Sequence, residues 1–296
     1  MREATQAVAQ LYKENKEFTA SQPGYTAIEA TIGNTLAAHF GNVFRRGQQI
    51  YLQQPQCLVF TRQQAREFGE RWKAYVAPQT VLSDVASLND MLYTGYVPES
   101  SFEEHASGGH REWMAGEMLF GGKIPVYVLP EEFVGVRVGT NALDVITHTS
   151  NAATGSLSSS FPSAMAAEMQ NALREARASF DFLRVATHEK IHGVQDPNLP
   201  LPIREACSAW FEREVSRLVC KGYEEKDLAH HTFNEAANVY SELVAHPDMG
   251  QDVHRLLFGN LQGERKMEVL DFVKAAFNPQ GLAKAFPTVQ WQARSV

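Results

Sequence analysis

Long apolar runs are missing from this chain. No stretch of eighteen apolar residues occurs, so no transmembrane helix is expected. The first residues, Met1-Arg2-Glu3-Ala4-Thr5-Gln6, lack the apolar core of a secretory signal. Cysteine is scarce, with Cys57, Cys207 and Cys220 as the full set. Cys207 and Cys220 would lie about 20 Å apart on one helix, too far for a disulfide. Reduced thiols and a cytoplasmic location are the simplest expectation; export as an effector through a signal-independent machine would leave the same sequence. An excess of positive charge is also lacking. The net charge of −7 argues against nucleic-acid binding through phosphate contacts. Neither an internal repeat nor a low-complexity tract is present. What remains is an ordinary globular composition, 44% hydrophobic and 21% charged, over 296 residues. Oligomeric state is not readable from it.

Against this plain background one short motif stands out. His188-Glu189-Lys190-Ile191-His192 spells H-E-x-x-H. Each helical residue advances about 100°, so positions i and i+4 share a face and two imidazoles there can hold one metal ion. Glu189 lies one step round the helix, close enough to reach a water at the metal without being a ligand. The chain has 10 histidines, and from that composition the motif arises by chance in roughly a few per cent of such chains. The bland alternative is a helix with two solvated histidines. The preceding Phe182, Val185 and Ala186 read as a buried helix, where histidines need partners.

A catalytic zinc usually takes three protein ligands and keeps a position for water. The extension H-E-x-x-H-x-x-G-x-x-H is not met, because Gln195 and Asn198 stand where its glycine and third histidine would be. Pro197, Pro200 and Pro202 end the motif helix and open a second one, in which Pro202 suits the first turn. The first inward carboxylate of that helix is Glu205. Glu212, seven residues on and nearly on the same face, is either a rival ligand, an acceptor for an imidazole N–H, or a solvated surface acid.

A helix with H-E-x-x-H followed by a second helix bearing Glu205-Ala206, Ser208 and Trp210 resembles the gluzincins, zinc metallopeptidases with two histidines and a glutamate as ligands. The resemblance spans about residues 120–260, and its specific motifs about 25 residues. It implies a zinc-dependent peptidase, by expectation an endopeptidase acting on a protein or peptide substrate. One Zn2+ per chain would be held by His188, His192 and Glu205, with Glu189 as general base towards the activated water. It also implies a donor for the oxyanion on a later helix, for which Tyr240 is the candidate and His231 the reserve. Two departures leave the sub-family open. Ala209 stands where the thermolysin-like branch has an aspartate, and the G-x-M-E-N motif of the large aminopeptidases is absent.

The expected fold is α+β: a small sheet, the motif helix and the glutamate helix form a zincin-like catalytic domain over 112–296, preceded by a helical region over 1–111. Four helices are expected before residue 95, marked by Ala4 to Phe18, Ile28 to Val43, Ala65 to Tyr75 and Val81 to Leu92. Residues 98–111 and 149–160 read as loops. Strands are expected at 124–128, 133–138 and 143–147, with 142–149 as the edge that receives substrate. Pro162 starts a helix ahead of the motif, and helices return from Lys226 onward. Other functions fit the same residues: a regulatory protease dedicated to one partner, a non-peptidase zinc hydrolase, or a helical interaction protein without activity.

Overall fold

The structure is a computed structural model that describes residues 10, 13–19, 22–55, 58–76, 114–119, 124–145, 163–221 and 234–287. Helices predominate. They are α1 (Pro23–Phe40), α2 (Arg46–Gln53), α3 (Arg62–Val76), α4 (Ser163–His192), α5 (Leu201–Val219), α6 (Asn234–Val244), α7 (Gly250–Leu257), α8 (Gly263–Ala276) and α9 (Pro279–Ala285). Among the described residues the strands β1 (Leu58–Thr61), β2 (Ala115–Leu119) and β3 (Ile124–Leu129) form one sheet in the order β1-β3-β2. β1 runs parallel to β3, with Leu58 opposite Val126; β2 runs antiparallel to it, with Gly116 opposite Tyr127.

α4 is the spine. The sequence suggests two successive helices here, yet no glycine or proline interrupts 163–192, and the two merge into a single helix of 30 residues. Its second half is buried through Ala178, Phe182, Leu183, Ala186 and Ile191, an i, i+4 stripe with close neighbours. Phe182 is gripped on two sides. Its ring meets Tyr25 of α1 edge-on at 4.7 Å and Tyr127 of β3 edge-on at 4.9 Å. Aromatic pairs in this edge-to-face geometry add about 0.5–1.5 kcal/mol beyond the area they bury.

The described residues before 76 share this core. Tyr25, Ile28, Ile32 and Leu36 of α1 share one hydrophobic cluster with Tyr127, Phe182 and Phe211. That region is also not purely helical, because β1 lies within it. A buried ion pair joins the two halves. Lys190, 1% exposed, reaches Glu29 at 3.7 Å and donates to the carbonyls of Leu52 at 3.2 Å and Gln54 at 2.8 Å.

Two of the expected strands are absent. Residues 131–133 and 140–145 are 3-10 turns, and 134–139 is irregular. Pro130 precedes the first, and Gly135 takes φ +80°, a left-handed conformation outside the range of a regular strand. The run 142–149 is therefore not an edge strand where it is described, and 146–149 lies outside the described residues. The expected helix at 81–92 and the loops at 98–111 and 149–160 also lie outside them.

Candidate metal centre

α4 and α5 pack against each other and bring the site together. The proline-bearing turn at 197–202 reverses the chain, and α5 starts at Leu201 with Pro202 in its first turn. Glu205 thus stands one turn into α5, opposite the end of α4. Its carboxylate spans both histidines: Oε2 is 3.1 Å from His188 Nε2, and Oε1 is 3.3 Å from His192 Nε2. The two imidazoles lie 4.8 Å apart. One ligand atom from each of His188, His192 and Glu205 lies within 4.8 Å of the others, the single such cluster among the described residues.

The outward nitrogens decide whether this group suits a metal. His188 Nδ1 lies 3.3 Å from Glu212 Oε2, and His192 Nδ1 lies 2.9 Å from Gln195 Oε1. With Nδ1 donating in each ring, the Nε2 lone pairs are left to face a cation, the tautomer that metal-bound histidines take. The donor set of two imidazoles and one carboxylate is the kind that zinc accepts.

Glu212 is not a solvated surface acid. It is 3% exposed, accepts from Arg184 Nε at 2.7 Å, and holds His188 from behind. Glu205 and Glu212 thus address opposite nitrogens of the same ring. Burial acts to push both carboxyls up. In Glu205 the neighbouring His192 and His188 outweigh it and hold the group well below its usual range. In Glu212 the Arg184 guanidinium and His188 do the same. Burial opposes a charge on His188, but the hydrogen bonds it donates to Glu205 and Glu212 reverse the balance and raise it well above 6.5. In the metal-free protein a proton therefore sits where a cation would.

Glu189 is treated differently. It is 8% exposed, and burial raises its carboxyl despite the opposing pull of His192 and His188. β2 presses on it closely. A Cβ at Gly116 would meet Glu189 Cγ and Val185 Cγ1 at 2.6 Å each, so a larger residue here would have to displace those side chains. A buried carboxyl raised above its ordinary range, beside β2, suits a general base.

Tyr240 is not gathered with these residues. Its hydroxyl lies 3.0 Å from His254 Nδ1, and it packs by Cys207, which points about 200° round α5 from Glu205. His231 lies outside the described residues. Sequence reasoning passed over Arg184 and the side chain of Gln195. Arg184 precedes His188 by one turn on the same face, a spacing that could have flagged it. Comparisons of the chain with protein-family models, with characterised proteins and with solved structures found no match. No described helix is long and apolar enough to cross a membrane.

Proposed function

We propose that the chain is a zinc-dependent metallopeptidase of the gluzincin type, with a zincin-like α+β arrangement built on α4, α5 and the small sheet. The observation that carries this reading is the convergence of His188 Nε2 and His192 Nε2 on the Glu205 carboxylate, with Glu189 buried alongside. His188, His192 and Glu205 are the proposed ligands. When bound, zinc supplies a Lewis acid that makes a water nucleophilic near neutral pH and polarises the scissile carbonyl. Glu189 takes the proton of the attacking water and delivers it to the leaving amine. Glu212 and Gln195 orient the imidazoles.

The extended substrate is proposed to pair with β2 rather than with 142–149. β2 has β3 as its one neighbour among the described strands, and Gly116 sets its backbone against Glu189. A strand added at that edge would gain main-chain hydrogen bonds next to the base. The test combines metal analysis with turnover. Purified protein is expected to hold about one zinc per chain, lost in His188→Ala and His192→Ala. Glu189→Gln should keep zinc and fold yet lose roughly 10²-fold or more in rate on a protein substrate. Mapping new N-termini made by the wild-type chain but not by Glu189→Gln identifies what it cleaves. Full zinc in either histidine variant refutes the ligand set, and loss of zinc in Glu189→Gln refutes the base.

A further inference from the structure

We infer that Gln195 sets the distance between His192 and Glu205, as a positioning residue that grips one ligand and the helix bearing the other. This rests on the metal reading above. Gln195 is 7% exposed, and its amide meets His192 on one side and Arg204, Cys207 and Ser208 of α5 on the other. Oε1 lies 2.9 Å from His192 Nδ1; Nε2 donates to the Arg204 carbonyl at 2.9 Å and to Ser208 Oγ at 3.1 Å. A carbonyl can only accept, so the amide nitrogen must face α5. The amide oxygen must then face the imidazole, and His192 Nδ1 must carry the hydrogen. The Nε2 lone pair is thereby aimed at Glu205, whose Oε1 is 3.3 Å away.

The contacts on α5 are not incidental. Arg204 precedes Glu205, and Ser208 lies one turn beyond it, so the amide holds α5 on both sides of the ligand, by a backbone carbonyl and by a side-chain hydroxyl. No other common side chain does this. Asparagine is one methylene short. Glutamate would set a carboxylate oxygen against the Arg204 carbonyl, and methionine has the length without donor or acceptor. His188 is held by a different means, the charged Glu212 tied to Arg184. The turn carrying Gln195 is also pinned without its side chain. Asp196 N donates to the Leu257 carbonyl at 2.7 Å, and Gln48 Nε2 donates to the Val194 carbonyl at 2.9 Å. A change of side chain should therefore leave the turn docked.

The test compares wild type, Gln195→Met, Gln195→Glu and Ser208→Ala. Zinc dissociation constants come from competition with a chromophoric chelator, the melting temperature from the metal-free protein, and ligand geometry from the visible spectrum of the cobalt(II) form. Gln195→Met is expected to weaken zinc about 10–100-fold. Its metal-free melting temperature should stay near wild type, and its cobalt bands should change. Ser208→Ala removes one anchor on α5, leaves the Arg204 carbonyl and Cys207 in place, and should weaken zinc less. Zinc held by Gln195→Met within about twofold of wild type overturns the inference. Should that variant not fold, Gln195→Glu carries the comparison, and wild-type affinity there overturns it equally. A wild-type chain that takes up no zinc overturns the metal reading and this inference with it.

Discussion

The lysine inside the motif offers the sharpest test of how the site is supported. Lys190 Nζ lies 3.7 Å from Glu29, with both side chains at 1% exposure or less. At that distance two unit charges attract by about 4–5 kcal/mol for an effective dielectric near 20. Lys190→Met keeps most of the volume and removes the ammonium, so Glu29 loses this cation and the carbonyls of Leu52 and Gln54 lose their donor. Breaking a buried pair from one side typically costs about 3–5 kcal/mol, and the Coulomb figure falls in the same range. We expect Lys190→Met to destabilise the metal-free protein by about 4 kcal/mol, a drop of about 8–16 °C in melting temperature at 2–4 °C per kcal/mol. Urea unfolding followed by tryptophan fluorescence measures it. Lys190→Met/Glu29→Gln should recover part of the loss, with a coupling energy of about 2 kcal/mol. A single-variant loss below about 1 kcal/mol, or strict additivity, would mean that the pair does not tie α4 to α1 and α2.

Other perturbations separate the roles within the site. Glu205→Ala should weaken zinc far more than Glu212→Ala, whose loss as an orienting partner is expected to cost about 10–100-fold; equal values in chelator competition would unseat Glu205 as the ligand. Tyr240→Phe should leave turnover near wild type, because its hydroxyl is engaged by His254, and should cost about 1–2 kcal/mol in denaturant unfolding. A hundredfold loss of rate would bring Tyr240 back as the oxyanion donor. For pH, the folded value of His188 lies well above 6.5 in the metal-free protein. Its contribution to stability is thus fully present below about 6.5 and lost as pH rises through the folded value. Zinc must displace that proton, so zinc affinity should tighten as pH rises above 6.5; a flat profile in calorimetry would remove His188 from the ligand set.

The parts legible in the sequence were local ones. The pairing of His188 with His192 follows from helical periodicity, and the placing of Glu205 from the prolines between the helices. These depend on a few neighbouring residues, and geometry does the rest. Lys190 was unreadable because a charged side chain at an exposed-looking motif position is buried only if a distant partner arrives, and Glu29 lies far upstream. β1 was missed because Leu58-Val59-Phe60 is too short and too uniformly apolar to show alternation, being covered on both faces. The strands expected at 133–138 and 143–147 show the opposite: alternating apolar residues are present, but the described chain turns at 131–133, at Gly135 and at 140–145 instead of extending. Gln195 carried no pattern at all, since its role depends on which carbonyl α5 happens to offer.

The joining of α1 to α4 has a cost during synthesis. Ile28, Ile32 and Leu36 leave the ribosome early, whereas Phe182 and Lys190, which cover and anchor that helix, are made about 150 residues later. At about 5–20 residues per second the gap lasts roughly 8–30 s. Through that interval the side of α1 that Phe182 covers has the neighbouring Val43, Phe44 and Leu52 beside it, and Lys190 is not yet there to meet Glu29. The three proposed ligands emerge within 18 residues of one another, ahead of α6 to α9 and of the Leu257 carbonyl that pins the turn between them.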